Sequence, residues 1–395
     1  DSTVVAVALN HMQGSLSAAQ DQMAWVLTSY LIAVAVATPF WGAMTEKFSR
    51  KALFNFCIAL FTMTSLLCGQ ADSLTELVIF RVVQGVFGAA LIPLSQAALM
   101  DIYESKDYGI AMAWWGVGLM FGPVLGPTVG GYVTEWYTWR WGFFINVPLG
   151  LVSFLAVWAF VPRTTARKRR NFNYMGYVVL AIGLGCLQFV LDRGQRYEWL
   201  DSHLIASLLC LAGASFWLFI VNSTTSENPF FDPIILRNTH FVIGLFLRAV
   251  FGILLFGPLI LIPPYLQKIG GYSIVDAGLL LAPRGLATMV SALLVGKLVR
   301  HVDPRAIIII GAGMAGYSSW EISLLPGNAP AVLIINYILI QGVGTACFFI
   351  PLNALAFANI GADQRDQGTA FFALTGNIGR SIGIAILSSY LVYGT

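Results

Sequence analysis

The sequence predicts an all-α membrane protein, and three observations carry that reading. Of its 395 residues, 57% are hydrophobic and only 10% charged, with a mean hydropathy of +0.76. Soluble domains carry about 25% charged residues, so this chain lacks the polar surface that water requires. The apolar residues gather in thirteen runs, most of them near the roughly 20 residues that cross a bilayer core. Lys and Arg crowd every second loop between those runs.

The first run, Asp1–Met12, is partial. After it come Ala24–Met44, Ala52–Ala71, Leu74–Leu94, Tyr108–Val133 and Trp141–Val161. Then follow Tyr174–Leu191, Ser202–Val221, Phe241–Pro264, Ala277–Val299, Ala306–Leu325, Ala331–Phe357 and Thr369–Tyr393. Their glycines and prolines are tolerated because neighbouring helices satisfy the freed backbone groups. With no initiator methionine and an ending soon after an apolar run, the chain reads as a fragment lacking the start of span 1 and a last span.

Loop charge orients the bundle. One set of loops holds Lys47, Arg50, Lys51, Lys106, the cluster within Arg163–Arg170, Arg237, Lys297, Arg300, Arg305 and Arg365; the other holds Arg140, Arg193, Arg196 and Lys268. The first set is read as cytoplasmic. The Arg163–Arg170 cluster is a solvated topology signal that can touch anionic lipid. A net charge of +3 does not indicate a nucleic-acid partner.

Two echoes link the halves. Gly42-Ala-Met-Thr-Glu46-Lys47-Phe-Ser49-Arg50-Lys51 is answered 254 residues on by Gly296-Lys297-Leu-Val-Arg300-His301-Val-Asp303-Pro-Arg305. Gln84-Gly85 is answered 257 residues on by Gln341-Gly342, each leading into Ile-Pro-Leu. Nearly equal offsets indicate duplicated halves related by an axis along the membrane normal. The division is residues 1–161 (spans 1–6), 162–239 (a basic linker and an extra helix pair, spans 7–8) and 240–395 (spans 9–13).

Candidate functional residues sit in or beside the spans. The charged loop Gly42, Glu46, Lys47, Arg50, Lys51 suits a gate that locks helix ends together and releases them. Arg81 stands about 10 Å inside span 4 at 1.5 Å per residue. An arginine there costs roughly 2.5–3.5 kcal/mol on insertion scales, so it needs a partner or a wet cavity. Gln84 lies on its face. Asp1, near mid-membrane and at a level Arg81 can approach, suits a group that gains and loses a proton. Gly118, Gly122, Pro123, Gly126, Pro127, Gly130 and Gly131 give span 5 a flat, bent face for close helix approach. Arg248 and Arg380 either line a cavity or pair between helices, whereas Arg284 and Glu321, near outer ends, are expected to snorkel. Trp25 and Tyr30 face either the pathway or lipid.

Other chemistry is not indicated. The five cysteines form no CxxC pair, the four histidines have no second ligand at i+4, and no nucleophile–base pair or carboxylate dyad appears in the spans. Gly311-Ala-Gly313-Met-Ala-Gly316 imitates a dinucleotide fingerprint but continues into an apolar span with no acid about 20 residues on. Neither an enzyme, nor a metal site, nor a cofactor is expected.

Together these motifs resemble the major facilitator superfamily, and within it the fourteen-span drug:proton antiporters of the EmrB/QacA type. The start at Asp1 resembles that branch's span 1 motif, and Gly42–Lys51 the superfamily loop motif, with Glu46 where aspartate is usual and Ser49 where glycine is usual. Leu77–Gly85 resembles the span 4 motif, whose arginine is tied to proton coupling. Gly118–Gly131 resembles the antiporter motif, and Trp139–Gly150 a segment typical of the branch. Leu191-Asp192-Arg193-Gly194 and Asn228-Pro229-Phe230 resemble its Gram-negative EmrB members. The resemblance implies proton-driven export of hydrophobic or amphipathic compounds by alternating access across a bacterial inner membrane, with Asp1 and Arg81 in proton coupling. It also implies membrane lipid, a periplasmic adaptor of the EmrA type and an outer-membrane channel as partners. Export of one metabolite, lipid or fatty acid, or import on the same fold, remain as alternatives.

Overall fold

The computed structural model describes the backbone of all residues except 1, 17, 163–171, 269, 273, 327–328, 362–363 and 394–395. Among the described residues there is no strand. Every apolar run is helical: α1 (Ser2–Ser15), α2 (Trp25–Met44), α3 (Arg50–Gln70), α4 (Leu74–Ile102), α5 (Tyr108–Trp136), α6 (Trp141–Phe160), α7 (Tyr174–Arg193), α8 (His203–Thr225), α9 (Thr239–Lys268), α10 (Ile274–Leu298), α11 (Pro304–Ser323), α12 (Ala331–Phe357) and α13 (Arg365–Tyr393). In a bilayer a helix is one of the two structures that satisfy every backbone group. Polar residues mark the starts: Ser49, Ser73, Asn173 and Asp303 accept backbone N–H bonds at the first turns of α3, α4, α7 and α11.

Two spans are broken, each ahead of a proline. Helix α4 is interrupted at Ala89–Ala90 and α6 at Ile145. Pro93 and Pro148 stand four residues beyond Ala89 and Phe144. A proline offers no N–H to the carbonyl four residues back, which weakens each ladder there, although α2 and α12 run on past Pro39 and Pro351.

Helix adjacency repeats between the halves. Helix α1 packs on α5, α2 on α4 and α3 on α4; the same arrangement recurs as α9 on α13, α10 on α12 and α11 on α12. Glycine contacts repeat as well. A β-carbon on Gly85 would stand 2.7 Å from the Tyr30 carbonyl and 2.8 Å from Ala33 Cβ. On Gly342 it would run into the Arg284 carbonyl and stand 2.9 Å from Ala287 Cβ. Tyr30 and Arg284 are separated by the offset that links Gly42 to Gly296. Only glycine permits both crossings.

The halves meet through α2 on α13 and α5 on α10, and through α4 on α13 and α5 on α12. Helix α7 lies against α2 and α13 with α8 outside it. The spans of α6 and α8 are only 11% and 17% buried, and Leu149, Leu155, Trp158, Trp217 and Leu218 stand exposed on them. These flanks meet lipid in a membrane, which makes the chain a multi-pass membrane protein.

Candidate functional site: a buried arginine and two inner joints

Arg81 is fully buried in α4. Its Nε donates to the Val26 carbonyl at 3.1 Å and its Nη1 to Gln84 Oε1 at 2.7 Å. The guanidinium lies 4.1 Å from the Tyr30 ring and 5.8 Å from that of Phe143. Val26 is the second residue of α2, so the arginine ties α4 to the first turn of α2. Cys68 Sγ on α3 approaches Gln84 Oε1 at 3.7 Å. The polar stripe expected on α4 is thus an inter-helix joint. Asp1 lies outside the described residues.

Three further ionic or phenolic groups gather near mid-depth. Arg380 of α13 is within electrostatic reach of Tyr30 in the other half and of Arg248 on α9. Arg248 sits 5.0 Å from the Phe349 ring, 5.6 Å from Phe372 and 5.7 Å from Phe251, a cation held by three aromatic faces. Its Nε is buried without a hydrogen-bond partner, and among the described residues it has no ion pair. Arg284 departs from expectation. It is 8% exposed and about 15 Å into α10 at 1.5 Å per residue, pinned where Gly342 meets its carbonyl, and so does not snorkel.

The glycine stripe of α5 has two environments. A β-carbon on Gly130 would stand 3.0 Å from Val4 Cα on α1, whereas β-carbons on Gly118 and Gly122 would meet none of the described atoms within 4 Å. Gly126 is buried and Gly131 half-exposed; the side chains of Pro123 and Pro127 lie outside the described residues.

At the inner face, which carries the basic loops, the halves are latched. A β-carbon on Gly42 would lie 2.7 Å from Ala370 Cβ and 3.3 Å from the Asp366 carbonyl. Arg50 donates to Asp366 twice, Nε to Oδ1 at 2.7 Å and Nη2 to Oδ2 at 2.8 Å, and also binds Asp101. Arg365 reaches the Met100 carbonyl at 2.9 Å and Asp101 at 3.1 Å. Glu46 accepts from Gln367 Nε2, and Lys47 lies 5.4 Å from the Phe172 ring. Lys51 is half-buried. Nearer the axis, Gln96 donates to Asn353 at 2.9 Å. The second joint is made by the repeat: Gly296 fits against Gly109 and Ala113, and Arg300 pairs with Asp107.

The acids Asp101, Asp107 and Asp366 and the axial pair Gln96 and Asn353 were not singled out by the sequence reading. The available signal was the placement of three carboxylates at the ends of spans on the basic face, where counter-charges to the loops must lie.

A family model of the Major Facilitator Superfamily matches residues 1–384. The "Multidrug export protein EmrB" of Haemophilus influenzae is 31% identical over 100% of this chain and 77% of its own length. The protein of that name in Escherichia coli is 32% identical over 98% and 76%. The "Fatty acid resistance protein FarB" of Neisseria gonorrhoeae is 31% identical over 98% and 77%. Among solved structures, the proton:xylose symporter XylE superimposes with a TM-score of 0.68 over 100% of this chain and 86% of its own, at 14% identity. The human organic anion transporter MFSD10 gives 0.63 over 97% and 82%, at 14%. At that identity both structures speak for the fold alone.

Proposed function

We propose that this chain, which belongs to the major facilitator superfamily in the same branch as the EmrB proteins, exports hydrophobic and amphipathic compounds across a bacterial inner membrane in exchange for protons. The observation that carries the reading is the pair of inner joints. Each holds one half to the other by a glycine crossing and ion pairs, contacts that a rocking motion breaks and remakes together. Alternating access then opens the inner face when Arg50 leaves Asp366 and Arg300 leaves Asp107. Residues 1–161 and 240–395 move as the two halves, with 162–239 as the added segment. Gly118 and Gly122, whose β-carbons would meet none of the described atoms within 4 Å, keep α5 slim beside the pathway, while Gly130 anchors it to α1.

Proton coupling is assigned to Asp1 and Arg81. An arginine bonded to the Val26 carbonyl and Gln84 is a fixed positive field at mid-depth, and a carboxylate brought to it would release its proton. The likeness to EmrB supports an adaptor of the EmrA type and an outer-membrane channel as partners. In vesicles, Asp1→Asn and Arg81→Ala should each abolish proton-gradient-dependent efflux; unchanged efflux in both overturns the coupling assignment.

One observation favours a narrower reading, export of a fatty acid or similar carboxylate. Arg248 is a cation in an aromatic cage without an ion-pair partner among the described residues, and a carboxylate with an alkyl chain would complement both features. Competition between a long-chain fatty acid and a cationic dye separates the readings: Arg248→Gln should weaken the acid alone.

A further inference from the structure

Helix α7 runs along the seam between the halves, and its two ends hold that seam differently. Toward the inner end the contact is mostly apolar: Leu180 and Leu184 pack with Ala43 of α2, Leu374 of α13 and Phe230. The Tyr177 ring lies 5.5 Å from Phe40, and its hydroxyl donates to the Val36 carbonyl of α2 at a long 3.5 Å. The apolar contacts have no direction and tolerate sliding. Toward the outer end the contacts are directional. Gln188 and Ser381 of α13 exchange hydrogen bonds at 2.9 and 3.2 Å, both side chains buried. One turn further out, Asp192 accepts from the Thr28 hydroxyl of α2. The helix thus grips one half through an amide and the other through a carboxylate.

Of these gripping groups only Asp192 changes charge with protonation. On α2 it faces Thr28, itself 2% exposed and without charge. On its own helix it faces Arg193, whose Nε is 3.7 Å away and whose guanidinium lies 4.8 Å from the Trp25 ring of α2. From α13 the nearest described partner of α7 is the neutral Ser381. No other carboxylate of the described residues shares the place. The Asp192 side chain is 24% exposed, in the last turn of α7.

The turn of α2 that it holds is the turn that Arg81 holds. Val26 accepts from Arg81, Thr28 donates to Asp192, and the Tyr30 ring lies against the Arg81 guanidinium. A change at Asp192 therefore acts on the segment to which the buried arginine is bonded.

We propose that Asp192 is a second proton-binding carboxylate of the transport cycle, at the outer mouth, whose charge sets whether α7 holds α2 through Thr28. The inference rests on the proton-exchange reading above. Ionised, the carboxylate takes a charge-assisted bond from Thr28 and attracts Arg193 on Trp25. A proton from outer water removes the charge, so the attraction to Arg193 is lost and the Thr28 bond becomes an ordinary one. Helix α2 is then freer to follow its own half while Gln188 keeps α7 on α13. Release of the proton restores the grip.

The test is substrate-driven proton flux by the full-length protein in vesicles, followed with a pH-sensitive dye as outer pH is varied from about 5 to about 8. The wild type should show two titration steps in its rate profile. Asp192→Asn should remove one step and leave gradient-driven flux in place. Asp192→Glu should keep both with one midpoint displaced, and it decides the matter if the Asn variant fails to purify folded. A Thr28→Val change should shift that same step without removing it. Superimposable wild-type and Asn profiles overturn the inference, as does a wild type with a single step. Absence of gradient-driven flux in the wild type would instead remove the transport reading on which it stands.

Discussion

Gly42 and Gly296 occupy equivalent places in the two halves, and their backbone contacts are nearly the same. A β-carbon on Gly42 would stand 2.7 Å from Ala370 Cβ and 3.3 Å from the Asp366 carbonyl; on Gly296 it would stand 2.5 Å from Ala113 Cβ and 2.8 Å from the Gly109 carbonyl. The charges around them differ. In the first joint Arg50 is 4% exposed and clasps an Asp366 that is 10% exposed, with Asp101 and Arg365 completing a buried network. In the second, Arg300 is 41% exposed and Asp107 23%. Duplication supplied one steric device twice. Both joints carry an ion pair but only the first is buried, so the first joint should govern how tightly the inner face closes.

The largest effect is expected at Arg50. Arg50→Ala leaves Asp366 and Asp101 facing each other without their cation, and breaking a buried pair costs about 3–5 kcal/mol. At 1.4 kcal/mol per decade, that shifts the balance between closed and open inner face roughly a hundredfold or more. A cysteine placed at Asn353, beneath the joint, should become reactive to a reagent added on the inner side, and efflux should collapse. Exchanging the pair as Arg50→Asp with Asp366→Arg should restore part of the protection. If Arg50→Ala leaves that cysteine protected, the joint is not the latch.

The glycine crossings come next, and they test the sameness of the two joints. Gly42→Leu and Gly296→Leu each force a side chain into a crossing with no room for a β-carbon, and overpacking of this kind costs about 1–3 kcal/mol. Because the contacts match, the two variants should raise labelling at Asn353 to a similar extent. A large effect at Gly42 with none at Gly296 would mean that the steric device, like the buried ion pair, belongs to one half.

Much of this comparison was legible in the sequence, and the missing part has a physical reason. Apolar length fixed the helices, because a span must be helical once it is long and dry. The echo of Gln84-Gly85 in Gln341-Gly342 pointed to duplicated packing, and both glycines do meet a carbonyl and an alanine on the preceding partner helix. The charged loop after α2 was visible from local composition. Its partners were not, since Asp366 stands 316 residues from Arg50 and no local pattern encodes a contact at that range. Arg284 misled for a related reason: depth along a run does not tell which side of the helix meets Gly342. The breaks in α4 and α6 fall ahead of Pro93 and Pro148, but within apolar runs that read as continuous. Of the pair proposed for proton coupling, Arg81 donates to Val26 and Gln84, while Asp1 and the Arg163–Arg170 cluster lie outside the described residues.

The smallest effect is expected at Arg300, and it sharpens the contrast most. Exposed ion pairs contribute about 0.2–1 kcal/mol, because water already solvates both charges and salt screens what remains. Arg300→Ala should therefore change inner-side labelling at Asn353 by no more than about fivefold, the equivalent of 1 kcal/mol at 1.4 kcal/mol per decade. That change should vanish as salt rises, whereas the Arg50→Ala effect, arising among buried groups, should persist. The second joint has no place for a buried carboxylate, because a β-carbon on Gly109 would stand 2.9 Å from the Gly296 carbonyl and 3.2 Å from Val299 Cβ. Gly109→Asp should therefore raise labelling at Asn353 as Gly296→Leu does, and unchanged labelling would assign control of closure to Arg50 and Asp366 alone.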